Sequence, residues 1–286
     1  MLPLLLAACV PGVQHVTVSA GSSLSTSQST APSAGPSASA GLAALLPAGA
    51  TVIATKPMGA NAMAVLAGLP GPPGTPSIAS GPAAAELAVV ATTPAGPRLM
   101  KAVTQPFAQA PTLDVQPVAG QPAAGMAYHT GANSAGLLVV RAEAVVYDGV
   151  ADNVQLQDVD GDGSAEVVKD WSPFCQSHAA SPRLTTVYAW QDGGFAAATN
   201  KFPQVIAKQT ASFQAAVTRA NDPATTPAWT PGAKACLHDS LAYLASLSGD
   251  RAQAAVERAQ VQQLDPAYDL DAIAKAAAGQ PAKTSP

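Results

Sequence analysis

The sequence has little charge, few aromatic side chains and only three cysteines. Charged residues make up 11% of the 286 residues, against roughly 25% in an average soluble protein, and aromatic residues make up 5%. The 14 lysines and arginines are outnumbered by 18 aspartates and glutamates and form no basic cluster, which argues against a nucleic-acid partner. Three cysteines are too few for a disulfide-dense scaffold. The chain also has no run of about 18 apolar residues, the length that a bilayer-spanning helix requires.

The charge that is present is unevenly placed. A hydrophobic fraction of 48% lets part of the chain bury a core, whereas 23 glycines and 26 prolines point to many turns. The first charged residue is Lys56, and only five charges fall within the first 140 residues. Seven of the 18 acidic residues then lie between Asp148 and Asp170, opposed there only by Lys169. Such a cluster repels itself unless it is spread in solvent or neutralised by a cation.

The first nine residues are apolar and end in two alanines followed by Cys9. This pattern resembles the lipobox of bacterial lipoproteins, in which a cysteine behind small residues becomes N-terminal after cleavage and is lipidated. The resemblance implies a truncated signal over residues 1–8, with the natural start lying upstream, and a membrane anchor on Cys9. Stable anchoring needs more than one acyl chain on that cysteine. The alternative is an apolar N-terminus with a chance cysteine.

Three further segments follow Cys9. Residues 9–42 are dominated by Ser, Ala, Gly and Pro, which cannot bury enough apolar area to offset ordering, and they are predicted to be a disordered tether. Residues 43–200 contain short apolar runs between Pro/Gly clusters, which predicts a β-rich domain. Residues 201–286 show helical periodicity. The predicted strands cover residues 50–55, 62–67, 86–91, 98–104, 113–118, 136–141, 144–147, 154–156, 166–170, 185–190 and 194–198.

The C-terminal periodicity predicts helices around residues 205–217, 237–245 and 252–259. Gly249 is expected to end one helix and Asp250 to cap the next. The stretch 241–266 resembles a single tetratricopeptide unit, the alternative being a plain helical hairpin packed on the β region. The predicted fold class is therefore α+β, with a propeller-like or open antiparallel sheet region followed by a small helical region.

The acidic cluster contains the most specific pattern in the chain. Aspartates stand at positions 158, 160 and 162, with Gly163 next and Glu166 at the ninth position of the loop. Alternate carboxylates on a tightly turned loop can converge on one point, and Ca²⁺ takes six to eight oxygens at short range. The predicted ligands are the side chains of Asp158, Asp160, Asp162 and Glu166, with the backbone carbonyl of Ser164. The alternative is a solvated acidic turn.

This loop departs from an EF-hand, because Lys169 occupies the twelfth position and the flanking residues favour strands. Over residues 155–199 the sequence resembles FG-GAP and VCBS repeats, the integrin-type β-propeller modules, in which such a loop joins two strands of a blade. The resemblance implies a structural Ca²⁺ ion. Residues 63–103 have the strand spacing of such a repeat but lack the aspartates that would bind Ca²⁺. The chain is too short for a seven-bladed propeller, so a reduced or open version is expected.

Other candidate residues are weaker. With Cys9 lipidated, Cys175 and Cys236 remain as a possible disulfide, the alternative being two separate thiols. His238, Asp239 and Ser240 have the residue types of a catalytic triad, but neighbours on one helix point to different faces. His178 lies near Cys175 without the second pair that a zinc site needs. The three tryptophans are interpreted as packing residues.

Three functional hypotheses follow from these features. The leading one is a non-enzymatic, lipid-anchored protein, exported to the periplasmic or outer face of the cell envelope, whose Ca²⁺-binding β region contacts a protein or a glycan. The first alternative is a secreted hydrolase whose site is assembled from loops. The second is a periplasmic assembly adaptor that acts through the helical tail. An exposed apolar groove on residues 232–278 would favour the adaptor.

Overall fold

The computed structural model describes residues 41–70, 84–176, 181–225 and 227–278, which belong to one compact unit. The predicted signal, Cys9 and nearly all of the predicted tether lie outside the described residues. Residues 41–43, where the tether prediction ends, are helical, and Leu42 packs against a sheet. Of the predicted surface loop after Leu69, only Pro70 is described.

The β region consists of three four-stranded antiparallel sheets, each built from consecutive strands in chain order. Sheet 1 contains β1 (Thr51–Pro57), β2 (Ala62–Leu69), β3 (Ala84–Thr93) and β4 (Gly96–Pro106). Sheet 2 contains β5 (Gln109–Val118), β6 (Gln121–Gly131), β7 (Ser134–Arg141) and β8 (Ala144–Ala151). Sheet 3 contains β9 (Asn153–Gln157), β10 (Glu166–Trp171), β11 (Leu184–Gln191) and β12 (Gly194–Ala197). The β-rich, open-sheet prediction is confirmed.

The three sheets are stacked face to face. Leu66 and Leu87 of sheet 1 lie in one core with Met126 and Leu138 of sheet 2. The opposite face of sheet 2 packs on sheet 3 through a second core. Both faces of sheet 2 are therefore buried. This explains why every residue of β7 from Ala135 to Val140 is buried and none of them is polar.

The outer faces of the stack are covered as well. Val65 and Val90, on the outer face of sheet 1, pack against Leu46 from the segment that precedes β1. Val187, on the outer face of sheet 3, packs against Phe202, which precedes the first long helix. Within the described residues the stack thus ends at three sheets, because each terminal face is already occupied by the protein's own chain.

The helical region follows a 3₁₀ turn at Thr199–Lys201 and consists of α1 (Pro203–Asn221), α2 (Pro231–Leu247), α3 (Arg251–Leu264) and α4 (Ala272–Ala278). Gly249 adopts a positive φ of 82° after α2. The Asp250 side chain accepts the Gln253 amide at the start of α3, as the sequence predicted. The structure therefore contains the predicted hairpin, whose α2 helix shares a core with α1 and with Trp171 of sheet 3.

Two elements were not predicted from the sequence. Strand β6 contains Pro122, Gly125 and several alanines, all of which have low β-propensity. It forms because it pairs with β5 on one side and β7 on the other. Helix α4 is short, and its N-terminal amides are satisfied by a side chain from α2, since the Asp239 carboxylate accepts the Ile273 amide at 3.1 Å.

Candidate metal site

The acidic loop connects β9 to β10, the first two strands of sheet 3, and Glu166 is the first residue of β10. Asp158, Asp160 and Glu166 each place one carboxylate oxygen within 4.8 Å of the others. Glu166 is buried, Asp158 is partly buried and Asp160 is exposed, so the three carboxylates lead from the sheet interior out to solvent. The structure therefore brings together three of the four acidic side chains that the sequence nominated.

The backbone of the loop holds Asp158 in place. Its carboxylate accepts hydrogen bonds from the Gly161 amide at 2.7 Å and from the Gly163 amide at 3.0 Å. Gly161 and Gly163 have φ values of 79° and 85°, a region that glycine enters without strain. These two glycines let the loop turn tightly enough to face its amides inward. Each carboxylate oxygen retains a further lone pair, which leaves capacity for a cation.

Asp162 and Ser164 are placed differently from the other predicted ligands. Asp162 is exposed and lies outside the group of three, and its carboxylate accepts the Ser164 amide at 2.7 Å. The Ser164 hydroxyl accepts the Ala119 amide at 2.9 Å, from the turn between β5 and β6. A ligand role for the Ser164 carbonyl stays a prediction.

The loop is docked on sheet 2 as well as on its own sheet. Besides the Ser164 contact, the Ala165 amide donates to the Pro117 carbonyl at 2.7 Å. Ala119 has a positive φ of 47°, which an alanine adopts at some cost in strain, and its amide points at the acidic loop. The sequence carried no signal for this contact. Ala119 and Ser164 are 45 residues apart in the chain and meet because the sheets are stacked.

Burial and neighbouring negative charge both act on Glu166. Burial raises the pKa of its carboxyl, and the charges of Asp160, Asp162 and Asp158 raise that pKa further, while the hydrogen bond from the Val159 amide at 2.9 Å opposes them. A divalent cation would stabilise the ionised form. Three carboxylates are fewer than the six to eight oxygens of Ca²⁺, so the remaining ligands would come from backbone carbonyls, Asp162 or water.

Cys175 and Cys236 form a disulfide with an S–S distance of 2.09 Å and a Cα–Cα distance of 5.2 Å. The bond joins the connection between β10 and β11 to helix α2. Disulfides persist in oxidising compartments, so this one is typical of an exported protein. None of the helices in the described parts of the chain combines the length and apolarity needed to cross a membrane.

The His238, Asp239 and Ser240 side chains point to three different partners. The His238 Nδ1 atom lies 2.6 Å from the Glu257 carboxylate, and the Ser240 hydroxyl donates to the Cys236 carbonyl at 2.9 Å. With Asp239 bonded to the start of α4, the three side chains do not form a relay. His178 lies outside the described residues.

The tryptophans take packing roles. Trp171 is buried and donates through its indole nitrogen to the Thr186 hydroxyl at 3.2 Å. The ring of Trp190 packs on the core between sheets 2 and 3, and the Arg141 guanidinium lies 4.3 Å from the ring centroid. Trp229 packs against the core of the helical region.

Comparison with known proteins does not extend these observations: no family model, no curated protein and no solved structure matches the chain.

Proposed function

We propose that this chain is an exported, lipid-anchored protein of the bacterial cell envelope whose stacked β region binds Ca²⁺ and contacts a protein or a glycan. The convergence of Asp158, Asp160 and Glu166 within 4.8 Å carries the metal part of the proposal. The arrangement of a D-x-D-x-D-G loop between the first two strands of a four-stranded sheet supports the likeness to FG-GAP and VCBS modules.

A structural role for the ion is favoured over a catalytic one. The acidic loop contacts sheet 2 through Ser164 and Ala165, and the Gln204 side chain of α1 donates to the Val159 carbonyl at 3.5 Å. An ion held there would neutralise the carboxylates at a junction of two sheets and a helix. The remainder of the β region would then present its strands and turns to a partner.

The adaptor hypothesis gains no specific support. The groove between α1, α2 and α3 has a volume of about 120 Å³ and is lined largely by polar side chains, including Gln214, Gln253 and Glu257. Docking of a partner helix relies instead on a continuous apolar groove. Val256 is 54% exposed on α3, a single apolar side chain of the kind that is common on protein surfaces.

The metal proposal is tested by thermal unfolding in EDTA, Ca²⁺ and Mg²⁺. Exported calcium modules bind with dissociation constants of about 10⁻⁴–10⁻³ M, so millimolar Ca²⁺ should add about 1 kcal/mol of stability and raise Tm by a few degrees. Mg²⁺ should do less, because it holds its waters more tightly. Asp160→Asn should lose most of the Ca²⁺ effect while keeping the oxygen that accepts the Asp162 amide.

The matched control is Glu143→Gln, which removes an exposed carboxylate from the turn between β7 and β8. This variant should respond to Ca²⁺ like the parent. Equal melting of the parent in EDTA and in Ca²⁺, with no difference in Asp160→Asn, would show that the loop is an ordinary acidic turn.

The anchor is tested separately. Expressed with a complete lipoprotein signal fused ahead of Cys9, the protein should incorporate a fatty-acid analogue and fractionate with membranes. Cys9→Ser should abolish both behaviours. Unchanged labelling in Cys9→Ser would contradict the lipoprotein assignment and leave the metal proposal standing.

A further inference from the structure

A cavity of about 350 Å³ lies between sheets 2 and 3, at the edge where their first strands run. One wall is the face of sheet 2 formed by β5, β6 and β7, and the other is β9. The volume falls at the lower end of the range of roughly 300–1,000 Å³ that is typical of small-molecule sites. The cavity is distinct from the acidic loop, none of whose carboxylates lines it.

The cavity exists because the facing side chains are small. Gly125 and Ala127 occupy alternate positions of β6 on this face, and Ala135 lies further along β7, opposite His129. Elsewhere in the same interface large side chains such as Tyr147 and Phe195 fill the space between the sheets. The floor is completed by Leu137 and Leu156, so the base of the cavity is aliphatic.

The rim is polar and offers both donors and acceptors. The exposed Thr112 hydroxyl and His129 ring both line the cavity. Gln155 donates its amide nitrogen to Gln157 and Asn153 donates to Asp170, which leaves the two side-chain carbonyls as acceptors. Within the part of the chain that the structure describes, β9 is an edge strand paired with β10, and residues of both its faces line the cavity, so its other backbone edge is presented there.

The charge at the cavity is balanced within the protein. Asp114 is the carboxylate among the described lining residues, and the Lys56 ammonium of sheet 1 contacts it at 2.7 Å. The Gln116 side chain and the Val115 amide also donate to that carboxylate. Apart from the His129 imidazole, the described lining residues offer an ionic ligand no opposite charge that is not already paired, whereas a neutral ligand with many hydroxyl groups would find donors and acceptors.

We infer that this cavity binds a neutral sugar residue, such as the terminal unit of a glycan. The aliphatic floor suits the C–H face of a pyranose ring, and the amides, the hydroxyl and the open strand edge suit its hydroxyl groups. A cavity of about 350 Å³ has room for one or two sugar rings, whereas an extended peptide would need a longer groove along β9. The inference rests on the glycan part of the proposed function and is independent of the metal.

The experiment is saturation-transfer NMR on the full chain with methyl β-D-glucopyranoside and N-acetylglucosamine as neutral probes. Glucuronate tests for an ionic ligand, and a capped trialanine peptide tests for strand addition to β9. Both neutral probes should give saturable signals of about millimolar affinity, and glucuronate should give none. The signals should persist in EDTA, because the acidic loop lies outside the cavity.

Two variants locate the binding. Ala127→Leu fills the cavity and should weaken binding at least tenfold, and Gln155→Ala, at an exposed position, should weaken it about fivefold through the loss of one rim acceptor. Ala197→Leu places the same bulk at an exposed position of β12 and should bind like the parent. Amide spectra of each variant establish whether it is folded. If Ala127→Leu does not fold, Gln155→Ala still tests the inference.

The outcomes separate the inference from the proposed function. Absence of a saturable signal from both neutral sugars, or unchanged binding in Gln155→Ala, overturns the inference and leaves calcium binding untouched. Binding of the capped peptide alone overturns it in favour of an extended peptide on β9. If the sugars bind but Ca²⁺ does not change the stability of the protein, only the metal part of the proposed function is contradicted.

Discussion

Tyr128 of β6 lies directly opposite Gly136 of β7, and its ring occupies the space that a side chain at residue 136 would take. A Cβ atom on Gly136 would overlap the tyrosine ring, which is itself buried between sheets 1 and 2. The Tyr128 hydroxyl bonds to Asp148, so the ring has little freedom to move away. Glycine is therefore needed here for space rather than for backbone conformation.

This contact predicts that Gly136→Ala destabilises the protein by about 1–3 kcal/mol through overpacking. Gly131→Ala is the matched control, because residue 131 lies on β6 with nothing within 4 Å of its added methyl group. Chemical denaturation of the two variants should give a clear loss for the first and a change within about 0.5 kcal/mol for the second. Equal stabilities would show that the Tyr128 ring can shift.

Glu86 is a second residue whose surroundings have a measurable consequence. It is buried in β3, and burial raises the pKa of its carboxyl above the usual 4.5, opposed in part by a hydrogen bond with Thr104. Burial likewise raises the pKa of Glu166 and of Asp239. Because the folded state binds these protons more tightly, the associated stability is present below the unfolded pKa and is lost as pH rises through the folded pKa.

The expected result is that Glu86→Gln raises Tm near pH 7, where the parent must bury a charge, and has little effect near pH 4. Thermal unfolding across this range measures the difference. Glu143→Gln, at a side chain that is 60% exposed, should show no such pH dependence. A pH-independent effect of Glu86→Gln would mean that the carboxyl is solvated in the folded protein.

At the scale of elements, the disulfide ties the helical region to sheet 3. Cys175 follows β10 and Cys236 lies on α2, and the bond spans 61 residues of sequence. Loop entropy predicts that removing it costs about 4 kcal/mol. The double variant Cys175→Ser/Cys236→Ser should therefore melt about 10 °C lower than the oxidised parent.

Two measurements check this prediction. Mass analysis of a non-reduced digest should contain the linked peptide pair, and the parent in reductant should melt like the double variant. Two free thiols in protein recovered from its native compartment would contradict the bond.

Strand β6 shows why element prediction failed at one position in the β region. Its sequence from Gln121 to Gly131 is dominated by small residues that have no preference for extended structure. The neighbouring strands β5 and β7 impose the conformation, and the small side chains let sheets 1 and 3 approach both faces. In contrast, the hairpin turn at Asp192 and Gly193 could be predicted from the sequence, because Asp-Gly tolerates the positive φ that such turns require. Both residues adopt a positive φ in the structure.

At the scale of the whole molecule, the acidic loop links layers that are distant in sequence. It lies in sheet 3 and bonds to sheet 2 at Pro117, near the end of β5, and at Ala119 in the β5–β6 turn. An ion that orders the loop would therefore also restrict the turn. Hydrogen bonds that join two sheets in this way oppose local unfolding of the segments they connect.

Hydrogen exchange followed by mass spectrometry tests this coupling. Ca²⁺ should slow exchange in the acidic loop and also in peptides that cover residues 117–121. The β3–β4 turn at residues 94–95, in sheet 1, should exchange equally with and without Ca²⁺. Protection confined to the loop would show that the ion does not act across the sheet interface.

The sequence by itself determined the order of elements: a β-rich part with short strands, then helices, with Gly249 and Asp250 marking the joint between two of them. These features follow from local propensity and periodicity, which act over a few residues. It also identified the acidic loop, because the spacing of its aspartates is local.

Tertiary structure alone decided the rest. The docking of the acidic loop on the Ala119 turn depends on sheets 2 and 3 lying against each other. The cavity beside Gly125 depends on small residues of one sheet meeting the edge strand of another. Both features arise between segments far apart in the chain, where the stacking of the sheets, rather than any local pattern, fixes which side chains meet.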